Sequence, residues 1–423
     1  MIPSFLERRL EITAEIWSDI SHAATPADRW LGNYFYQRKR RFGSQDRRFY
    51  SEIIYALFRH KNFLQAWADK IFPGKEIWGV LVLAVLLESL APWEEILDCA
   101  EQLGSSLTKD QAAQIRSFEL PVPKKGMSEI NFLTLRYSFP EWLVTRWLER
   151  YGRESCENLL KICQERPPLV IRTNTLKITR DQLLEKFREQ NLQVKPTPES
   201  PFGIIFQERS NVFDSQEFRD GLFEIQDEGS QLLGLKMNPK PGELVWDACA
   251  GGGGKTLLLG AMMQNKGRII ATDIRPKKLI EVTKRAKRAG LFNVFPADLN
   301  RISEIKHAQK GFDRILVDAP CTGTGTLRRN PDAKWKLSEE KIMYAQKDQL
   351  AILENVLPYL RSGGKLYYAT CSLEPEENEQ VMETFLKKHP DLKSVNAGDK
   401  DGFFRLLPQT HQTDGFFLGI AEK

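Results

Sequence analysis

The stretch LVWDACAGGGGKTLLLGAMM, residues 244–263, joins a short apolar run to a helical pattern through four consecutive glycines, Gly251, Gly252, Gly253 and Gly254. A bounded apolar run of this length fits a buried strand, and the leucine-rich pattern after the glycines fits a helix. Three more such runs follow: GRIIATD (267–273), FDRILVDAP (312–320) and GKLYYATCS (364–372). Longer helical patterns separate them, among them EEKIMYAQKDQLAILENVLPYL (339–360). Alternation of this kind predicts an α/β domain with a doubly wound, mostly parallel sheet. DGFFRLLP (401–408) and DGFFLGIAEK (414–423) read as a closing strand pair.

In such sheets ligands bind beyond the carboxyl ends of the strands. A glycine-rich strand-to-helix turn there lets backbone NH groups approach a ligand, and the helix N-terminus adds a favourable dipole. GGGGKT has the look of a phosphate loop, but GxxxxGK[ST] requires glycine at 249, where this chain has Cys249. Two carboxylates point elsewhere: Asp247 precedes the loop, and Asp273 ends the next strand 22 positions after Gly251. That offset matches the roughly 20 expected of an acid that binds ribose hydroxyls, so an adenosine-containing ligand is implied. The bland alternative is a glycine-rich turn with incidental acids.

Two cysteines fall at strand ends, Cys321 in FDRILVDAPCTGTG with Asp318, and Cys371 in LYYATCSLEPEENE. A single cysteine in a sheet is more often an inert core residue than a nucleophile. Two at the end that should carry the glycine loop shift the weight toward chemistry. The run EPEENE reads as a helix start with Pro375 in its first turn. Its dipole would favour a thiolate, whereas its carboxylates, if close, would oppose one.

The six cysteines form no CxxC pair and have no histidine at ligand spacing, which argues against disulfide frameworks and metal sites. At 423 residues, two or three domains are expected. No run reaches the roughly 18 apolar residues of a membrane span, and WGVLVLAVLLESLA (78–91) reads as a buried helix. The first residues show no signal-peptide pattern, so a cytoplasmic location is the expectation. Residues 1–128 read as an all-helical domain, and FELPVPKKGMSE (118–129) as a linker. Residues 129–240 read as a helical stretch followed by a small α+β module, and residues 241–423 as the α/β domain. Net charge is only +5, yet Arg29 to His60 holds eight Arg/Lys against two acids, interleaved with Trp30, Tyr34, Tyr36, Phe42, Phe49 and Tyr50. This suits nucleic-acid binding, or equally a solvated basic face over core aromatics.

DACAGGGGKT, DAPCTGTGTLRRNPDAKW and ATCSLEPEENE, with QDEGSQL and the closing DGFF, resemble the ordered motifs of the RNA (cytosine-5)-methyltransferases of the RsmB, Sun and NSUN group. FGSQDRRFYSEIIYALFRH is similar to the NusB-like helical domain of the bacterial ribosomal RNA members. The resemblance implies a Rossmann-like class I methyltransferase with a mostly parallel seven-stranded sheet. It implies S-adenosylmethionine as cofactor, held by Asp247, Cys249, Ala250, Gly251, Gly252, Gly253, Gly254, Lys255, Asp273, Asp298 and Asp318. Cys371 would attack carbon 6 of cytosine, Cys321 would assist product release, and Asp318 would contact the base edge. Arg172, Arg328, Arg329 and Lys334 would contact RNA, 16S ribosomal RNA by the same resemblance, and the enzyme is expected to act as a monomer without metal or membrane. One departure is Gly251-Gly252 where the family usually has Ala-Pro, which bears on cofactor affinity. Two other readings stay open: a DNA cytosine-5 methyltransferase with Cys321 as nucleophile, and a non-catalytic RNA-binding assembly factor.

Overall fold

The computed structural model describes residues 5–121, 126–208 and 210–423. The expected linker, 118–129, falls partly outside them. The chain divides into two compact units: one runs through Arg166 and takes in Leu327–Leu337, the other comprises Pro167–Thr326 and Ser338–Lys423.

The first unit is helical. Its centre is the long helix Ser44–Ile71, packed against Glu76–Leu87, whose residues Gly79 to Leu86 are all buried. A helix apolar all round must be enclosed, and this one is. Thr108 caps the helix Lys109–Arg116 in a capping box with Gln111, a device worth about 1 kcal/mol. The aromatics of the basic segment resolve toward the bland alternative: Tyr34, Phe42, Phe49 and Tyr50 are buried, and of the six only Tyr36 stands well out. The cations Lys39, Arg40, Arg41 and Arg48 remain exposed around them.

Leu327–Leu337 is built into this helical unit. Asp332 accepts the Ala27 NH at 3.0 Å, at the start of the helix Ala27–Gln37. The indole NH of Trp335 donates to the Phe58 carbonyl at 2.7 Å. Lys334 is only 1% exposed, donates to the Arg59 carbonyl at 2.9 Å and sits 4.2 Å from the Phe139 ring centroid.

The second unit carries two sheets. The smaller is antiparallel, β1 (Leu169–Thr173), β2 (Val194–Pro196), β3 (Gly203–Phe206) and β4 (Phe223–Ile225), in the order β2-β3-β1-β4. The larger comprises β5 (Leu244–Asp247), β6 (Arg268–Ala271), β7 (Val294–Pro296), β8 (Phe312–Asp318), β9 (Leu360–Thr370), β10 (Lys393–Val395), β11 (Phe404–Leu406) and β12 (Phe416–Glu422). Its order is β10-β12-β9-β8-β5-β6-β7 with β11 alongside β12, so eight strands occur among the described residues where the motif resemblance implied seven. β5 to β9 pair in parallel, while β12 runs antiparallel to β9 and to both β10 and β11. Strand order reverses at β5, which lies between β6 and β8, and this is where an open α/β sheet forms its crevice.

Candidate active site

The glycine loop leaves β5 at that reversal. Asp247 ends the strand almost wholly buried, accepting the Thr256 hydroxyl at 2.6 Å. Burial pushes its carboxyl up to about 7 in spite of that hydrogen bond. Asp247 therefore braces the loop from beneath, where a direct ligand contact was expected. Burial, with Asp247, Asp318 and Asp273 nearby, also drives the Cys249 thiol far upward, which keeps it neutral.

The four glycines, expected to act together as a cofactor cradle, play different parts. Gly251 has φ +53, and a Cβ there would meet nothing within 4 Å, so its backbone borders open space. Its NH donates to Asp273 at 3.0 Å. Gly252 is partly exposed, and its carbonyl accepts the Arg285 guanidinium at 2.5 Å. Gly253, also expected to line the cofactor, is buried. Its φ is +85, and a Cβ there would lie 2.9 Å from a Leu257 methyl and 3.1 Å from one of Val282. Its NH is taken up within the turn by the Ala250 carbonyl at 2.8 Å. Gly253 thus turns the chain into the helix Gly254–Met262 and lets it pack on Val282, a task that its left-handed backbone reserves for glycine. Gly254 opens that helix.

Burial alone would raise the Asp273 carboxyl, but hydrogen bonds from the Arg275 side chain and backbone and from Gly251 hold it below the usual range. A charged acceptor beside a side-chain-free turn at a strand-to-helix switch fits a ribose diol and its nucleoside. Asp298 lies exposed beyond the carboxyl end of β7, accepting the Asn300 NH at 3.0 Å.

Asp318 ends β8, and the Lys255 ammonium, from the first turn of the helix Gly254–Met262, reaches it at 2.7 Å. Burial opposes the charge on Lys255, yet Asp318, with Cys371 and Asp247 adding to it, raises its pKa overall. Three residues past Asp318, the Cys321 sulfur stands 3.3 Å from that of Cys371, just beyond the end of the neighbouring strand β9. The loops behind the sulfurs are laced together. Gly325 donates to the Cys371 carbonyl at 2.9 Å, and a Cβ on Gly325 would lie 2.4 Å from the Gly415 oxygen, so only glycine fits.

The acidic run after Cys371 does not begin a helix as expected. Pro375–Glu377 forms a single 3-10 turn, and the α-helix starts at Glu379, too far along to lend its dipole to Cys371. Glu377 instead turns inward with no exposed surface and faces the sulfurs' loops. It accepts the Thr322 NH at 2.8 Å, the Thr322 and Ser372 hydroxyls, and the Gln349 amide at 3.1 Å. The hydrogen bond with Cys371, burial, and the Cys371 and Glu377 charges all push the Cys321 thiol well up.

The expected RNA contacts divide. Arg328 and Arg329 are partly exposed, with Arg328 3.1 Å from Glu165. Lys334, expected to contact RNA, is buried: burial drives its pKa far down, and it donates to the Arg59 carbonyl inside the helical unit. Arg172, also expected to contact RNA, lies inside as well. It is buried on β1, bonded to Gln226 and to the Gly254 carbonyl at 2.7 Å, and burial lowers its pKa to about 10. It ties the small sheet to the glycine-loop helix. Sequence reasoning missed Glu377, Thr322, Ser372 and Gln349 as one cluster. A buried carboxylate inside EPEENE carries no local signal, because its burial depends on Gln349 from a distant helix.

A family model described as 16S rRNA methyltransferase RsmB/F matches residues 234–421, and one described as its ferredoxin-like domain matches residues 139–213. The chain is 32% identical over 409 residues, 90% of its length and 91% of the relative's, to the probable ribosomal RNA small subunit methyltransferase B of Bacillus subtilis. Among solved structures it is similar to PH0851, with 26% identity, TM-score 0.76 and 98% of each chain covered. It is also similar to a methyltransferase homolog protein from Pyrococcus horikoshii, with 31% identity, TM-score 0.61, and 70% of this chain and 100% of that one covered. At this identity and coverage the chain belongs to the RsmB/F family of 16S rRNA methyltransferases.

Proposed function

We propose that the protein methylates carbon 5 of a cytosine in 16S ribosomal RNA, using S-adenosylmethionine and a covalent adduct through Cys371. The observation that carries this reading is the pair of sulfurs 3.3 Å apart at the ends of adjacent parallel strands, beside the Lys255–Asp318 ion pair. S-adenosylmethionine, when bound, supplies an electrophilic methyl group, and Gly251 and Asp273 would hold its nucleoside. The Cys371 thiolate adds to carbon 6 of the base, and the displaced electron pair makes carbon 5 nucleophilic. Asp318, with Lys255 fixing its orientation, contacts the polar edge of the base. After methylation a base takes the carbon 5 proton, the freed electron pair restores the double bond between carbons 5 and 6, and the sulfur leaves carbon 6 with its bonding pair as the Cys371 thiolate, with Cys321 assisting this step. The cytosine must leave any base stack to reach the thiols.

We further assign residues 1–128, through Lys39, Arg40, Arg41 and Arg48, and the small α+β module within residues 129–240 to RNA binding, and residues 241–423 to catalysis. Phosphate contacts of that kind weaken with salt. The competing reading, with Cys321 as nucleophile, is disfavoured by the hydrogen bond from Cys371, burial and the Cys371 and Glu377 charges, which together push the Cys321 thiol well up.

The test is trapping of the protein on labelled 16S ribosomal RNA with S-adenosylmethionine, resolved on a denaturing gel. Cys321→Ala should accumulate a covalent adduct and Cys371→Ala should form none. The opposite pattern would reverse the roles, and no adduct from either variant would remove the covalent mechanism.

A further inference from the structure

Glu377 has no part in the chemistry above, yet it is the carboxylate that both cysteine loops share. Its Oε1 accepts the Thr322 NH at 2.8 Å and the Gln349 amide at 3.1 Å, and its Oε2 accepts the hydroxyls of Thr322 and Ser372. Thr322 and Ser372 directly follow Cys321 and Cys371. One carboxylate thus holds the residue behind each sulfur. Gln349 extends the clamp by donating to the Pro320 carbonyl at 3.0 Å, on the other side of Cys321.

The two loops depend on this clamp unequally. Ser372 has other anchors: its NH donates to the Thr370 hydroxyl at 3.2 Å, its carbonyl accepts the Asn378 amide at 2.9 Å, and its hydroxyl lies 3.2 Å from that of Thr324. For Thr322 the bonds shown are both to Glu377. A buried carboxylate with four donors is expensive to desolvate, so its presence in a loop contact calls for a role that an apolar residue could not fill.

We infer that Glu377 is a positioning residue that keeps the Cys321 loop in register with Cys371, so that its loss disables product release more than adduct formation. This rests on the reading that Cys371 attacks and Cys321 assists release. In Glu377→Gln the amide can keep one acceptor for the Thr322 NH while its NH2 donates to hydroxyls that turn to accept, so the register is largely retained. In Glu377→Ala both loops lose the tie, and Thr322, beside Cys321, loses both bonds it makes to Glu377.

The experiment uses the full chain, with wild type, Cys321→Ala, Glu377→Ala, Glu377→Gln and Thr322→Val compared for adduct level over time and for S-adenosylmethionine affinity. Glu377→Ala should raise the steady adduct level about tenfold, a change of about 1.4 kcal/mol in the partition, with cofactor affinity unchanged. Glu377→Gln should restore most of the release. Should Glu377→Ala fail to fold, Thr322→Val, which removes a single hydroxyl, carries the test and should give a smaller rise in the same direction. If Cys321→Ala traps the RNA but neither Glu377→Ala nor Thr322→Val raises the adduct, the positioning role is overturned and the cysteine assignment stands. A parallel loss of adduct formation and cofactor affinity would make Glu377 merely structural. If Cys321→Ala itself does not trap, the cysteine assignment fails and the inference falls with it.

Discussion

The motif DAPCTGTGTLRRNPDAKW is continuous in sequence, but its two halves lead different lives. Asp318 to Thr326 lies in the α/β unit, carrying the carboxylate paired with Lys255 and the sulfur facing Cys371. Leu327 to Leu337 belongs to the helical unit, where Asp332, Lys334 and Trp335 spend their polar groups on backbone partners from helices early in the chain. A run of characteristic residues is therefore no guarantee of a single role. In the first half the polar atoms border the site, and in the second they satisfy buried helix backbone.

The difference predicts opposite phenotypes. Asp318→Asn should lower turnover per folded molecule by on the order of 10²-fold, as loss of one placed polar contact in a water-poor site does. Retention of turnover within threefold would empty the first half of its chemical role. Trp335→Ala should do the reverse, costing roughly 3 kcal/mol of stability through lost packing and the lost bond to Phe58, read as a shifted urea midpoint. Turnover per folded molecule should hold, and a loss of turnover at unchanged stability would break the comparison.

Each unit also buries an ionisable group, and these sharpen the contrast. Asp247, raised to about 7, binds a proton in the folded protein that the unfolded chain releases near the ordinary carboxyl value of 3.8. Its contribution is thus fully present below about pH 4, and stability falls as pH rises through about 7, by up to a few kcal/mol. Asp247→Asn should flatten the urea midpoint between pH 5 and 8, and an unflattened profile would mean that Asp247 is ionised throughout. Lys334→Met should have the smallest effect, within about 1.5 kcal/mol, because the lost bond to Arg59 is offset by removing a buried amine that is costly to desolvate. RNA affinity should keep its salt slope. A slope reduced by about 1 would restore Lys334 as a phosphate contact.

The periodicity of the apolar runs made the α/β unit legible, since β5, β6, β8 and β9 are buried strands whose composition reflects their enclosure. The meeting of glycine loop, Asp318 and both cysteines at one end followed from that topology. How the glycines divide their work did not, because Gly251 and Gly253 read alike until Val282 is seen packed beside the second. Lys334 and Arg172 were not legible as interior groups. A cation in a motif of a nucleic-acid enzyme reads as a phosphate contact until the fold shows which carbonyl it meets.

What the sequence by itself determined is the class of fold and the end of the sheet where the reactive groups gather, because strand period and chain direction are local properties. What only the tertiary structure decided is which charges face outward. EPEENE placed its dipole out of reach of Cys371 and turned Glu377 inward, and LRRNPDAKW went to the helical unit. Both outcomes depend on partners distant in the chain, Gln349 in one case and Phe58, Arg59 and Ala27 in the other. Burial of a polar group is stable only where such partners satisfy it, and no local pattern records them.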